Sequence, residues 1–212
     1  MKNDLKYGLQ NVLSGKSQVR FGTTIQAIAS YLKDGERAGE AIEEPKRFKS
    51  KETERLENYI SENNLWVKEI DFSQYVSEGA EQKVYLKDSE SVLKLNDAIY
   101  YTSWKDYFYN LLLHNYFFAD TAYECIGFTK DNEIVYAVVQ QAYVAITGTT
   151  DLSQVKNFLA LNGFNNIRNN DYYNPELGII LEDLHDENVL TRNDVLYFID
   201  TVFYIKEDFW LD

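Results

Sequence analysis

The 212-residue chain predicts an α+β fold, a helical leading segment followed by a strand-rich body. Three observations predict it. Apolar residues recur at helical spacing through residues 1–65. From Trp66 to about Val144, short runs of β-branched and aromatic residues surround one long helical pattern. Gly178 to Thr201 then compresses an apolar strand, a polar loop and a strand–turn–strand unit into a single stretch. The organisation expected is a helical segment over residues 1–65, a sheet-plus-helix unit over 66–144 and a smaller unit over 145–212.

In the leading segment, Leu5, Leu9, Val12 and Leu13 share one helical face and Ile25, Ile28, Ala29 and Leu32 another, with Thr23 or Thr24 placed to cap the second helix. Gly35, Gly39 and Pro45 mark a break, after which a charged helix runs through Leu56, Tyr59 and Ile60 toward Asn63 and Asn64. Its cations Lys46, Arg47, Lys49, Lys51 and Arg55 are interleaved with Glu43, Glu44, Glu52, Glu54 and Glu57, the pattern of a solvated helix face. The segment reads as a support for the strand-rich body or as a docking arm for a protein partner.

Three strands come next, at residues 72–76, 82–87 and 91–95, with Gly79 in the first turn and Lys94 in the third strand. Lys94 points to the face opposite Leu93 and Leu95, which any strand with one wet face would also show. Ser103 to Phe118 places Trp104, Tyr107, Phe108, Leu111 and Leu112 at i, i+3, i+4, i+7 and i+8, an amphipathic helix capped by Ser103. Asp106, Asn110 and His114 lie along one side of it, and His114, with no second ligand spaced for it, reads as a packed residue. Two strands, 123–129 and 133–144, enclose the turn at Lys130, Asp131 and Asn132. A helix from Asp151 to Leu161 and a turn-rich loop from Asn162 to Pro175 lead into the final stretch.

In that stretch, the strand at Ile179–Leu181, the strand at Val189–Leu190, the turn at Arg192–Asp194 and the strand into Asp200 bring Asp183, Asn188 and Asp200 to one end of a hairpin. One amide and two carboxylates on a stiff support suit a hard divalent cation such as Mg2+ when substrate phosphates complete its shell. Taken alone, Asp183 to Asn188 is equally a polar turn, since Asp and Asn bond local backbone.

The run D-L-H-D-E-N-V-L resembles the catalytic loop of the aminoglycoside-phosphotransferase branch of the protein-kinase-like fold. Asp200, in F-I-D-T, falls where that family keeps its metal-binding aspartate. From about Trp66 onward the chain resembles the compact kinase-like domains found in polyvalent proteins of phages and mobile elements. The resemblance implies a minimal two-lobed fold, an antiparallel sheet with a helix and then a truncated helical second lobe carrying the catalytic hairpin. It also implies ATP and Mg2+ as cofactors and a hydroxyl acceptor of unidentified chemistry. Asp183 would orient or deprotonate the acceptor, Lys94 would face the ATP phosphates, and Asn188 with Asp200 would hold the metal. Gly79 would lie in the phosphate flap, Gln140 to Tyr143 would form the adenine hinge, and Asp106 would replace the glutamate that kinases pair with the lysine.

Departures from the family pattern are concrete. The flap has one glycine, the helix has no glutamate, Leu181 stands where a bracing histidine is common, and the further helices of a full kinase do not follow Asp200. They support a second expectation, a catalytically inactive kinase-like module that binds nucleotide or a partner. A third is an interaction protein whose 15% aromatic content serves a core or interface.

Charge separates the two parts of the chain. Residues 1–70 carry 12 Lys+Arg against 11 Asp+Glu and the remaining 142 carry 9 against 23, within a net charge of −13. An acidic body argues against a broad nucleic-acid face. With no long apolar run and no signal-like N-terminus, a cytoplasmic protein without a membrane span is expected. The single cysteine, Cys125, sits in an apolar run and reads as a small buried hydrophobe.

Overall fold

The computed structural model describes residues 2–36, 45–79 and 82–211. Three helices lead, α1 (Lys2–Leu13), α2 (Gly22–Glu36) and α3 (Pro45–Glu62). Next come β1 (Tyr75–Glu78), β2 (Gln82–Leu86), β3 (Ser91–Asn96), α4 (Trp104–Phe117), β4 (Glu124–Asp131) and β5 (Ile134–Ala142). These five strands form one antiparallel sheet in the order β1-β2-β3-β5-β4.

The remainder holds α5 (Leu152–Leu161), β6 (Asn165–Arg168), β7 (Asp171–Asn174), β8 (Ile179–Glu182), β9 (Val189–Arg192), β10 (Val195–Phe198) and β11 (Val202–Ile205). It is richer in strand than the sequence reading expects. The segment from Asn162 to Pro175, read as loop, contains the β6–β7 hairpin, and β7 pairs with β8. Isolated polar strands of four residues carry little hydrophobic periodicity, and this hairpin exists because Tyr172 is buried against the core beside Leu181. Two smaller shifts also occur. Residues 72–74 form a 3-10 turn ahead of β1, and α2 starts at Gly22, which puts Thr23 and Thr24 inside its first turn.

Helix α4 is the centre of the molecule. The sequence reading gives it a wet face, yet ten of its residues from Trp104 to Asn115 are buried, polar Asn110, His114 and Asn115 among them. The reason is tertiary. Helices α1 to α3 lay Leu9, Leu13, Ile25, Ile28, Leu32, Leu56 and Ile60 into the same core as Trp104, Phe108 and Leu111, and β4 closes over it with Phe128. A helix enclosed on all sides is a core helix. Its N-terminus is held twice. Ser103 Oγ accepts from the Asp106 amide at 3.0 Å, and buried Glu52 of α3 accepts from the Trp104 and Lys105 amides at 2.6 and 3.1 Å, a carboxylate at the positive end of the helix.

The leading helices are therefore built into the core. Cations of the charged helix serve the same end: Lys49 donates to the Ala98 and Tyr101 carbonyls and Arg55 to that of Leu32. The side chains of Lys46 and Arg47, like Gly39, Glu43 and Glu44, lie outside those described. Helix α1 also reaches the far end of the chain, with Gln10 Nε2 donating to the Phe209 carbonyl at 2.7 Å.

The outer sheet face carries a second cluster of Tyr85, Leu93, Leu95 and Val138, covered by Val67 and Ile70. Gly127 makes that cover possible. It sits at a register shift in β4 with φ +146°, and a Cβ there would lie 2.4 Å from the Leu65 carbonyl oxygen, where the incoming chain pairs with Phe128. Cys125 is buried, as expected, and burial pushes its thiol up to about 12. Among the described residues no helix is long and apolar enough to cross a membrane.

Candidate active site

Two strand registers build the site. In the β9–β10 hairpin, Asn193 and Asp194 both take positive φ, +50° and +62°, the conformation of a two-residue turn that matches the strand twist. The hairpin then aligns Val189 with Phe198, and one step further the Ile199 amide donates to the Asn188 carbonyl at 2.9 Å. Asn188 and Asp200 are thus brought together by backbone pairing. In the second ladder β8 pairs with β11, Glu182 opposite Val202, so the loop beginning at Asp183 leaves beside the segment carrying Asp200 and Thr201. Leu181, in place of the bracing histidine, is buried in the core.

Within the loop, Asp183 has φ +64°, a region that non-glycine residues enter rarely and that concentrates at functional sites. The Asn188 amide nitrogen holds it there, donating to the Asp183 carbonyl at 2.8 Å and to its Oδ2 at 2.9 Å. His185 supports the same corner, its Nε2 3.4 Å from Asp183 Oδ1. Burial, followed by the neighbouring Asp171 and Asp183, raises the Glu182 carboxyl above its usual value.

A cleft of about 320 Å3 runs between the sheet and the hairpin. Lys94, Asn188, Asp200 and Gly79 all line it, with Val84, Val92, Val144, Leu190 and Ile199 as apolar walls. Lys94 is 3% exposed; its Nζ donates to the Ile199 carbonyl at 2.8 Å and lies 3.9 Å from Asp200 Oδ2. Burial pulls the Lys94 ammonium below its usual pKa, and Asp200 opposes that shift. Asp183 is not among the residues lining the cleft; its side chain is 58% exposed and is tied to the cleft through Asn188.

Two expected positions fall elsewhere. Asp106 does not face Lys94. It sits in the first turn of α4, at the end next to α3, where burial lowers the pKa of Lys49 and Asp97, Glu52 and Asp106 oppose the shift. The α4 residues that reach the Asp200 segment lie one to two turns further along. His114 Nδ1 pairs with Thr201 Oγ1 at 2.7 Å, and Asn110 Oδ1 accepts from the Phe203 amide at 2.8 Å.

Of the expected hinge, residues 140–143, the cleft is lined by Gln141, Ala142 and Tyr143, and the Gln140 side chain points away. Because Lys94 pairs with Val139 and Val92 with Gln141, strand alternation gives Gln141 the face of Lys94, while Gln140 turns outward to Lys87. Gln141 lines the cleft and anchors its back wall by donating to the Thr121 carbonyl at 2.7 Å. Counting in twos from Lys94 identifies Gln141 only once the register is known.

Gln82 carries no signal in the sequence. At the start of β2 its side-chain amide donates to Asp200 Oδ2, a contact across 118 residues that no local pattern announces. Gly79 lies at the other end of this turn; its amide donates to the Gln82 carbonyl at 3.0 Å, and a Cβ at this position would meet nothing within 4 Å. Gly79→Ala is accordingly expected to change stability by no more than about 1 kcal/mol in a denaturation curve, so that any loss of ligand affinity reports on approach to the flap.

His114 gives the site a pH signature. It is fully buried, with Nε2 2.9 Å from the Thr121 carbonyl oxygen, and burial lowers its pKa from 6.5 to about 3. The folded protein keeps it neutral while the unfolded chain protonates near 6.5. Its contribution is complete above that value and is lost as pH falls, at up to about 1.4 kcal/mol per pH unit. Chemical denaturation from pH 7 to 4.5 should show this slope, and His114→Gln should flatten it.

A strand-built lobe with a buried lysine, facing a hairpin that presents an asparagine and an aspartate to the same cleft, defines a kinase-like class of protein. The family comparison agrees: residues 49–207 match the family described as serine/threonine/tyrosine kinase found in polyvalent proteins, and the chain belongs to that family. No match was found among curated proteins or among solved structures.

Proposed function

We propose that the chain is an ATP- and Mg2+-dependent phosphotransferase that moves the γ-phosphate to a hydroxyl acceptor. The observation that carries this reading is the convergence of Lys94, Asn188 and Asp200 on one apolar-walled cleft. The donor set fits a magnesium ion. Asp200 and the Asn188 carboxamide offer hard oxygens, and substrate phosphates and water would complete the shell. Bound there, the ion would offset charge on the β- and γ-phosphates.

The chain's own groups supply the rest. Valine and leucine walls hold the base and exclude water. Lys94 draws negative charge toward the leaving phosphate. Asp183, fixed by Asn188, accepts the acceptor's hydroxyl proton as its oxygen bonds to the γ-phosphorus and the bridging P–O bond to ADP breaks.

A second reading, a catalytically inactive module that binds nucleotide, draws support from Gln82. Its amide occupies Asp200 Oδ2, an oxygen that a metal would use. A thermal-shift titration with ATP, with and without Mg2+, tests the site. The phosphotransferase reading expects a Mg2+-dependent rise in midpoint of the size set by ligand excess over Kd, together with slow ATP turnover. Binding without turnover selects the inactive module, and no shift at millimolar nucleotide overturns both.

A further inference from the structure

We propose that Tyr123 is the positioning residue through which helix α4 sets Lys94, standing where kinases use a helix carboxylate; this rests on the phosphotransferase reading. Tyr123 lies just ahead of β4 and is almost fully buried. Its ring centroid is 5.4 Å from Lys94 Nζ, and its Oη donates at 2.7 Å to the Ile199 carbonyl, the oxygen that also receives Lys94 Nζ. The tyrosine and the lysine therefore converge on one atom of the segment carrying Asp200.

Helix α4 grips this tyrosine directly. Asn115 Oδ1 accepts from the Tyr123 amide at 2.7 Å and Asn115 Nδ2 donates to its carbonyl at 2.8 Å, while the His114 ring lies 4.5 Å from the Tyr123 ring. Helix, tyrosine and lysine thus form one packed relay. It accounts for the missing glutamate and for the place of Asp106, which the fold puts at the other end of the helix.

The substitution has a chemical consequence. A ring face attracts an ammonium by its quadrupole and leaves the formal charge unpaired. A helix carboxylate would neutralise part of that charge. Among the described residues the carboxylate that reaches Lys94 is that of Asp200, so the ring fixes the lysine without adding a second anion beside the phosphates. Because α1 to α3 pack around α4, the relay rests on a helix built into the core.

Graded aromatic replacement is the test. Tyr123→Phe keeps the ring and loses the bond to Ile199, Tyr123→Leu removes the ring, and pentafluorophenylalanine at position 123 keeps the shape while reversing the charge of the ring face. The expected result is a Mg2+–ATP Kd within about 3-fold of the parent for Tyr123→Phe and at least about 10-fold weaker for Tyr123→Leu and the fluorinated residue, with ATP turnover falling in the same order. A residue that merely fills space would not distinguish the phenyl from the fluorinated ring, and equal affinities for those two folded proteins overturn the proposal. That pair carries the test even if Tyr123→Leu does not fold.

A double-mutant cycle separates the two levels of inference. The same ring pair is compared in Lys94 and Lys94→Met backgrounds by chemical denaturation without nucleotide. A coupling of about 10-fold in the unfolding equilibrium supports the Tyr123–Lys94 contact even if the parent protein binds no nucleotide, an outcome that removes the phosphotransferase reading alone. Additive effects overturn the contact itself.

Discussion

Asp200→Asn is expected to lower ATP turnover by more than about 10³-fold while leaving a folded protein, because it removes the one carboxylate shared by the lysine and the proposed metal site. The isosteric change is more informative than alanine. Asparagine retains an oxygen to accept from Gln82 and fills the same space, so the segment between β10 and β11 keeps its shape. Lys94 loses its counter-charge, and leaving a buried ammonium without one is costly when both partners are buried. Here the Asp200 side chain is 33% exposed, which limits the loss to about 1–2 kcal/mol. The measurement is a pair of curves, denaturation midpoint and Mg2+ dependence of ATP binding. A variant that is stable and has lost the Mg2+ dependence places the metal at Asp200. One that binds Mg2+–ATP as the parent does sinks that role.

Lys94→Met should be the second-largest effect, a fall in turnover of about 10²–10³-fold, the typical cost of removing one preorganised electrostatic group. Stability should change little, by about 1 kcal/mol or less, for three reasons. Methionine fills most of the space of the lysine stem. Removing the ammonium also removes its desolvation cost. The Ile199 carbonyl, which loses the lysine, keeps the Tyr123 hydroxyl as donor, so no buried acceptor is orphaned. A large loss of stability without loss of nucleotide affinity would show that Lys94 serves the fold and not the cleft.

Much of the site is legible without the structure. Asp183, Asn188 and Asp200 fall within one short stretch whose strands and turn are marked by local chemistry, above all the Asn193–Asp194 turn. Lys94 is legible only through its order in the chain, after the Gly79 turn and ahead of the Asp183–Asn188 loop, since a lone lysine in a strand also fits one wet face. Which side chain of the 140–143 hinge enters the cleft is not legible, because neighbouring residues of a strand differ only in which face they occupy, and the face is set by pairing with β3. Asp106 fails for a related reason. Helical spacing says which residues share a side but not which end of the helix meets the sheet. Gln82 and Tyr123 give no local signal at all, since their partners lie 118 and 76 residues away.

By itself the sequence determined where most helices and strands lie, because capping residues, periodicity and turn chemistry act over a few positions. It also determined the D-L-H-D-E-N loop and its spacing to Asp200. Only the tertiary structure decided that α4 is a core helix and not a surface one, that the leading helices are packed into the core, and that the ring beside Lys94 is that of Tyr123. Burial is a property of what covers a residue, and what covers α4 comes from segments dozens of residues away in the chain.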